Sequence, residues 1–234
     1  MHYALIDWDN TIHRGYTIYG LAGHLLAKGL VSPGLLHTFK ELETLYQTKA
    51  ITYAVYTERT CESFAQELAG RSAAEYRSAV QAFLPIDEPA IFESAYPLFD
   101  LLKKYGVAIY FVSGAPFDVL EAYAERFGIR GVFAFELEIE NHILTGKVVC
   151  NYGVNKDRIL HHPLFKTPHA THLLSMGDAV ADIPLLNNSL LSIVVGEQHL
   201  ALRDGLEVMN YTEKPWNLQW LEEKIMSWTA AHPR

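Results

Sequence analysis

Short apolar runs alternate with longer amphipathic stretches along this chain. The runs fall at residues 3–6, 107–112, 131–134, 172–176 and 191–195. Several lack the polar alternation of a half-exposed strand, as strands covered on both faces of a parallel sheet do. Between them, residues 89–105 place Ile91, Phe92, Ala95, Leu98, Phe99, Leu101 and Leu102 at helical spacing and end in Lys103, Lys104 and Gly106, a C-terminal signal. Residues 117–127 before Gly128 read the same way. The order strand, helix, strand predicts a Rossmann-like α/β fold, doubly wound on a mainly parallel sheet, with reactive groups at the C-terminal ends of the strands.

Residues 16–84 break the alternation. They carry helical patterns and no convincing strand, including 53–68 before Gly70 and 73–83 after the N-cap candidate Ser72. We read a helical insert after the first strand, with residues 13–15 and 84–89 as connectors. The expected division is a core of residues 1–15 and 87–234 and a helical cap of residues 16–86. Residues 136–149 alternate around Asn141-His142, a hairpin signal.

Composition narrows the class. The 234 residues are 50% hydrophobic and carry a formal net charge of −8, which gives a sizeable core and disfavours a nucleic-acid partner, since phosphate backbones demand clustered Lys and Arg. Two cysteines, Cys61 and Cys150, cannot make a disulfide framework and read as reduced thiols in a cytoplasmic protein. No run of about 18 apolar residues suggests a membrane span.

Four places carry candidate chemistry. Asp7, Asp9 and Thr11 follow the first apolar run; two acids one residue apart leave a strand on the same side, so that one can attack a substrate while the other moves a proton. The alternative is a loop in which Asp9 or Asn10 caps a helix. Ser113 and Gly114 follow the second run and suit a phosphate oxygen at a helix start. Lys156 lies in Val154-Asn155-Lys156-Asp157 and, taken without its companions, reads as a solvated surface lysine. Asp178 and Asp182 follow Gly177; a helix beginning there would set them at i and i+4 on one face, suited to a hard cation such as Mg²⁺, with capping by Asp178 as the alternative. The histidines at 161, 162, 169 and 172 lack nearby acids or cysteines and read as structural or solvated, and Trp216 to Trp220 as helix packing.

Together these motifs resemble the haloacid dehalogenase superfamily, whose phosphatases carry Asp-x-Asp-x-Thr, then Ser or Thr, then Lys, then Gly-Asp-x-x-x-Asp. The place of the insert, and stretches such as Leu144-Thr145-Gly146 and Asp182-Ile183-Pro184-Leu185-Leu186, resemble its phosphoserine phosphatase-like branch. The resemblance implies a Mg²⁺-dependent phosphatase for a small phosphorylated metabolite, with Asp7 as nucleophile, Asp9 as general acid and base, and Thr11, Ser113, Gly114 and Lys156 around the phosphate. It implies Mg²⁺ held by Asp7, the Asp9 carbonyl and Asp178, with Asp182 orienting them. With Asp9 protonated, Asp7, Asp178 and Asp182 sum to −3 and Mg²⁺ with Lys156 to +3, so a phosphate meets a balanced site. The chain departs from the branch at residues 12–17, where an acidic residue for the substrate amine is absent, and at Ala179 and Ala181 in the last motif. Arg14, Tyr56 and Arg59 are the candidate leaving-group contacts. Phosphoryl transfer to an alcohol and non-catalytic ligand binding are the rival readings.

Overall fold

The structure is a computed structural model and describes residues 1–197, 199–211 and 215–231; residues 232–234, the end of the expected core range, lie outside them. The chain opens with β1 (His2–Ile6), followed by four helices, α1 (Thr17–Ala27), α2 (Pro33–Gln47), α3 (Tyr53–Glu67) and α4 (Ala73–Asp87). Then come α5 (Ala95–Lys104), β2 (Val107–Pro116), α6 (Phe117–Phe127), β3 (Gly131–Glu140), β4 (Ile143–Cys150), β5 (Thr171–Gly177), α7 (Ile183–Asn188), β6 (Leu191–Val195), β7 (Glu207–Tyr211) and α8 (Leu218–Ala231). Among the described residues the strands form one seven-stranded sheet in the order β4-β3-β2-β1-β5-β6-β7. Every pairing is parallel except β3 with β4, which makes the fold doubly wound about β1.

Alternation along β1 divides the core. Ala4 and Ile6 join a large cluster with Leu98 and Leu102 of α5, Val119 and Leu120 of α6 and Leu221 of α8. Tyr3 and Leu5 face the other way, onto Tyr110, Val112, Ile159, Phe165 and Leu185. That second face is covered by α7 and two 3-10 turns, Lys156–His161 and Pro163–Phe165, so Lys156 reaches the sheet on a short turn instead of a long helix.

The structure departs from the sequence pattern in four places. Residues 89–105 form a 3-10 turn (Glu88–Ala90) and then α5. The expected connector 84–89 belongs largely to α4, which continues through Pro85; the ring removes one helix bond on an exposed face, and the extra turn carries Asp87 into the interior. The helix expected after Gly177 does not start there, because Asp178 sits in a bend before a 3-10 turn (Val180–Asp182) and α7. β7 was not foreseen, since as an edge strand it buries only Tyr211 and shows no apolar period.

Two tethers join the helical segment to the sheet. Residues flanking it pair with each other, Arg14 N–H donating to the Ala90 carbonyl (2.9 Å) and Phe92 N–H to that of Ile12 (2.9 Å). At the far side the β3–β4 hairpin turns through Asn141 and His142, both at positive φ as a two-residue turn of matching twist requires. Its backbone pairs with the α3–α4 link through Gly70 N–H to Leu144 O (2.8 Å), Leu144 N–H to Arg71 O (2.9 Å) and Ala73 N–H to His142 O (2.9 Å).

Candidate active site

The first loop shows why two acids flank a tryptophan. Leaving β1, Asp7 and Asp9 point to one side while Trp8 turns into the core, fully buried between Phe111 and Tyr123. The N–H groups of Thr11, Ile12 and His13 all converge on the Trp8 carbonyl at 2.8–3.1 Å, which curls the loop around the carboxylates. The Trp8 indole N–H donates to Thr17 Oγ1 (3.0 Å). An indole nitrogen can only donate, so the Thr17 hydroxyl accepts there and turns its own hydrogen onto Asp9 Oδ1 (2.6 Å), beside the Thr17 backbone N–H (2.9 Å). With both bonds on Oδ1, the proton of a neutral Asp9 resides on Oδ2. Burial pushes the Asp9 carboxyl up to about 6 against the pull of Thr17 and His13.

Lys156, almost fully buried, bridges Asp7 Oδ1 and Asp182 Oδ1 at 2.6 Å each. Burial works against the ammonium, but Asp182 and Asp7 outweigh it and raise its pKa. The other Asp182 oxygen accepts from the backbone N–H groups of Asp178 (3.2 Å) and Ala179 (3.0 Å), folding the loop after β5 back on itself. Gly177 makes room for this, because a Cβ there would stand 2.3 Å from Asp182 Cγ. Thr11 Oγ1 donates toward Asp7 Oδ2 (3.2 Å) and Asp178 Oδ1 (3.3 Å). Asp7, Asp178 and Asp182 thereby bring one carboxylate oxygen each within 4.8 Å of the others. Like charges that close repel by about 3–4 kcal/mol per pair at an effective dielectric of about 20, and one ammonium offsets only part of it. Burial, then Asp7 and Asp182, push the Asp178 carboxyl up to about 8. An oxygen donor set under such repulsion fits a divalent hard cation.

Ser113, at the C-terminal part of β2, accepts from the Ala115 N–H (3.2 Å), which leaves its hydroxyl hydrogen able to donate elsewhere. Gly114 and Gly153 touch backbone to backbone; a Cβ on Gly153 would lie 2.8 Å from Gly114 Cα. That contact seats the Ser113 strand end against the loop leading to Lys156. The carboxylates, Ser113, Gly114 and Lys156 form one end of a cavity of about 550 Å³ whose other walls come from residues 16–61 and 179–184.

The family model for haloacid dehalogenase-like hydrolases matches residues 4–187. The chain belongs to that family. It is 25% identical over 214 residues to the phosphoserine phosphatase of Lactococcus lactis subsp. lactis, covering 81% of this chain and 98% of the relative. Its fold is shared with a Bordetella pertussis Tohama I protein of unknown function (TM-score 0.71, 18% identity, 89% of this chain and 97% of that one). It is shared too with a substrate-bound phosphoserine phosphatase (TM-score 0.64, 17% identity, 96% and 98%).

This haloacid dehalogenase-like chain does not bring all the sequence candidates together. Tyr56 lines the cavity. Arg14 lies outside the cavity lining, donating to the Pro89 carbonyl (3.1 Å) and resting 4.7 Å over the Phe92 ring. Arg59 is exposed and also outside the lining. Thr11 is fully buried behind the carboxylates. Of the histidines, His172 stacks on Tyr3 at 4.9 Å, a packing role. Trp216 packs against Tyr211 and Phe92 ahead of α8.

Sequence reasoning missed Thr17 and the pair His13–Asp87 (3.0 Å), in which Asp87 also accepts from the Tyr123 hydroxyl (3.0 Å). Their contact spans 74 residues of chain, and nothing local announces it. The tyrosines around the cavity did leave a signal, with Tyr16 and Tyr19, and Tyr53 and Tyr56, at the i, i+3 spacing of one helix face.

Proposed function

We propose that this hydrolase is a Mg²⁺-dependent phosphomonoesterase for a small phosphorylated metabolite, acting in the cytoplasm through an aspartyl phosphate on Asp7. The observation that supports it best is the convergence of Asp7, Asp178 and Asp182 with Lys156 at the closed end of the cavity. Asp7 attacks phosphorus in line, its carboxylate aligned by Lys156 and Thr11. Asp9 gives the Oδ2 proton to the departing alkoxide and afterwards takes a proton from the water that cleaves the acyl phosphate. Ser113, the Gly114 backbone and Lys156 hold the phosphoryl oxygens, and Thr11 holds the Asp7 and Asp178 carboxylates apart from solvent. The Asp7 carboxylate, the Asp9 carbonyl and Asp178 would hold Mg²⁺, with Asp182 fixing the loop; bound there, the ion neutralises charge on the phosphoryl group. The likeness to phosphoserine phosphatases supports a phosphate monoester as the substrate type. We divide the chain into a core of residues 1–15 and 87–234 and a cap of residues 16–86, which shields the phosphoryl site from water. Both thiols are free, which supports a reducing compartment. No described helix is long and apolar enough to cross a membrane.

Release of inorganic phosphate from small monoesters in Mg²⁺ tests the reading. Asp7→Asn is expected to abolish turnover in a folded protein, because the amide is neither nucleophilic nor anionic. Wild-type turnover by that variant would refute the covalent route.

A further inference from the structure

The cavity has two chemically different ends. Every charged side chain among its described lining residues sits at the phosphoryl end: Asp7, Asp9, Lys156, Asp178 and Asp182. The remainder is dominated by Tyr16, Tyr19, Tyr46, Tyr53 and Tyr56. Burial raises the phenols of Tyr16 (to about 12), Tyr19, Tyr53 and Tyr56, so these walls are aromatic and uncharged. The charges of Asp178 and Asp9 act on Tyr16, and those of Lys156 and Asp7 on Tyr53, which sets these two at the border of the phosphoryl end. Behind them the Tyr46 and Tyr56 rings stack at 5.1 Å and 11°, with Tyr53 edge-on to Tyr46 at 5.7 Å, and the Tyr19 and Tyr56 hydroxyls meet at 2.6 Å. Tyr16 and Tyr46 remain 41% and 37% exposed, aromatic surface in a concavity that a ligand would cover.

Resting on the phosphomonoesterase reading, we propose that the leaving group is a flat ring without a carboxylate, an aromatic alcohol whose phosphate is cleaved while the ring lies against the tyrosine wall. The Glu43 charge reaches Tyr19 and Tyr56, but the one cation among the described lining residues is Lys156, which bridges Asp7 and Asp182. The carboxylate of an amino-acid leaving group therefore finds no free ionic partner, and leaving it unpaired in a buried pocket is costly. A quaternary ammonium fits less well. A cation cage needs several ring faces turned to one point, whereas Tyr46 and Tyr56 each spend one face on the other. The volume, about 550 Å³, lies within the range of small-molecule sites.

The test compares benzyl phosphate, ethyl phosphate, O-phospho-L-serine and phosphocholine in Mg²⁺ by kcat/KM, and benzylphosphonate with ethylphosphonate by calorimetric Kd. Benzyl alcohol and ethanol are of similar acidity, so that pair reads the pocket; the ammonium of serine and of choline makes them better leaving groups, which works against the expected order. Benzyl phosphate is expected to exceed the other three at least tenfold, benzylphosphonate to bind about tenfold tighter than ethylphosphonate, and Tyr46→Leu to shrink the benzyl-to-ethyl ratio about tenfold in both assays. Phosphoserine, phosphocholine or ethyl phosphate matching benzyl phosphate would overturn the proposal while sparing the hydrolase reading. If no ester releases phosphate, the hydrolase reading fails, and the phosphonate pair still decides the ring: preferential binding supports it and equal Kd values overturn it.

Discussion

Thr17→Val removes one hydroxyl and nothing else of comparable size. In the wild type that hydroxyl takes the Trp8 indole N–H and passes a 2.6 Å hydrogen bond to Asp9 Oδ1, and both Trp8 and Thr17 are fully buried. A hydrogen bond to a charged acceptor contributes about 1.5–3 kcal/mol, and an orphaned buried donor costs about 1–3 kcal/mol. The variant is therefore expected to lose about 2–4 kcal/mol of stability. At about 2–4 °C per kcal/mol for a chain this long, Tm falls on the order of 10 °C. The chemistry shifts too. The Thr17 hydroxyl favours ionised Asp9, so its loss raises the Asp9 pKa and keeps the acid protonated to higher pH. If the bond favours the ionised form by about 1.4 kcal/mol, the shift is about one unit. The kcat/KM profile covers the steps up to departure of the leaving group, so its alkaline limb should move up by about that amount. Comparing variant and wild type on one ester cancels the substrate's own ionisation. Thr17→Ser restores the hydroxyl and should restore both Tm and the limb. A folded Thr17→Val protein whose alkaline limb stays put or moves down would show that Asp9 is not the acid this hydroxyl governs.

Other expectations follow from the same geometry. Gly177→Ala places a Cβ against the Asp182 carboxyl and should cost roughly 10–100-fold in Mg²⁺ affinity, as losing a group that orients ligands does; a Mg²⁺ titration that matches wild type would contradict the role given to Asp182. Saturating Mg²⁺ should raise Tm, by about 2.7 kcal/mol of stability at a hundred times Kd, and exhaustive EDTA should remove activity; a Tm indifferent to Mg²⁺ sinks the metal assignment. Burial lowers His172 from 6.5 to about 4, so the unfolded chain binds the proton first. Its stabilising contribution is complete above about pH 6.5 and is lost as pH falls toward 4, up to about 3 kcal/mol. His172→Phe should flatten that part of the stability curve measured by denaturant titration, and an unchanged slope would count against it.

The parts legible in sequence were those with local causes. The apolar runs, the Ser72 cap whose hydroxyl accepts from Glu75 N–H, and Gly128 at φ 67 after α6 each act within a few residues, so pattern and turn chemistry sufficed. Three of the four motifs were readable because each ends a strand, and strand ends converge in a parallel sheet; Lys156, on a 3-10 turn, had meaning only beside them. The supposed helical face for Asp178 and Asp182 failed because hydrogen bonds to the Asp182 side chain, not an α-helix, shape that loop. Charge alone suggests a ligand contact at Arg14, whereas backbone carbonyls and an aromatic ring occupy its guanidinium. Thr17, His13 and Asp87 depend on contacts closed by the fold, and β7 on an edge position that demands little burial.

The pairing of residues 70–73 with 142–144 bears on how such proteins can be recombined. Residues 16–86 look like an exchangeable cassette, cut at two adjacent points. Yet a transplanted cassette would arrive without the hairpin that completes its backbone ladder, and its Ala69 would have to tolerate whatever replaced Gly146, where a Cβ would stand 2.8 Å away. The folding unit is discontinuous: the helices that wall the cavity, and a hairpin encoded more than forty residues later at the edge of the sheet. Chimaeras that move both pieces together should fold where the cassette alone does not, so an exchange meant to alter the cavity has to carry that sheet edge with it.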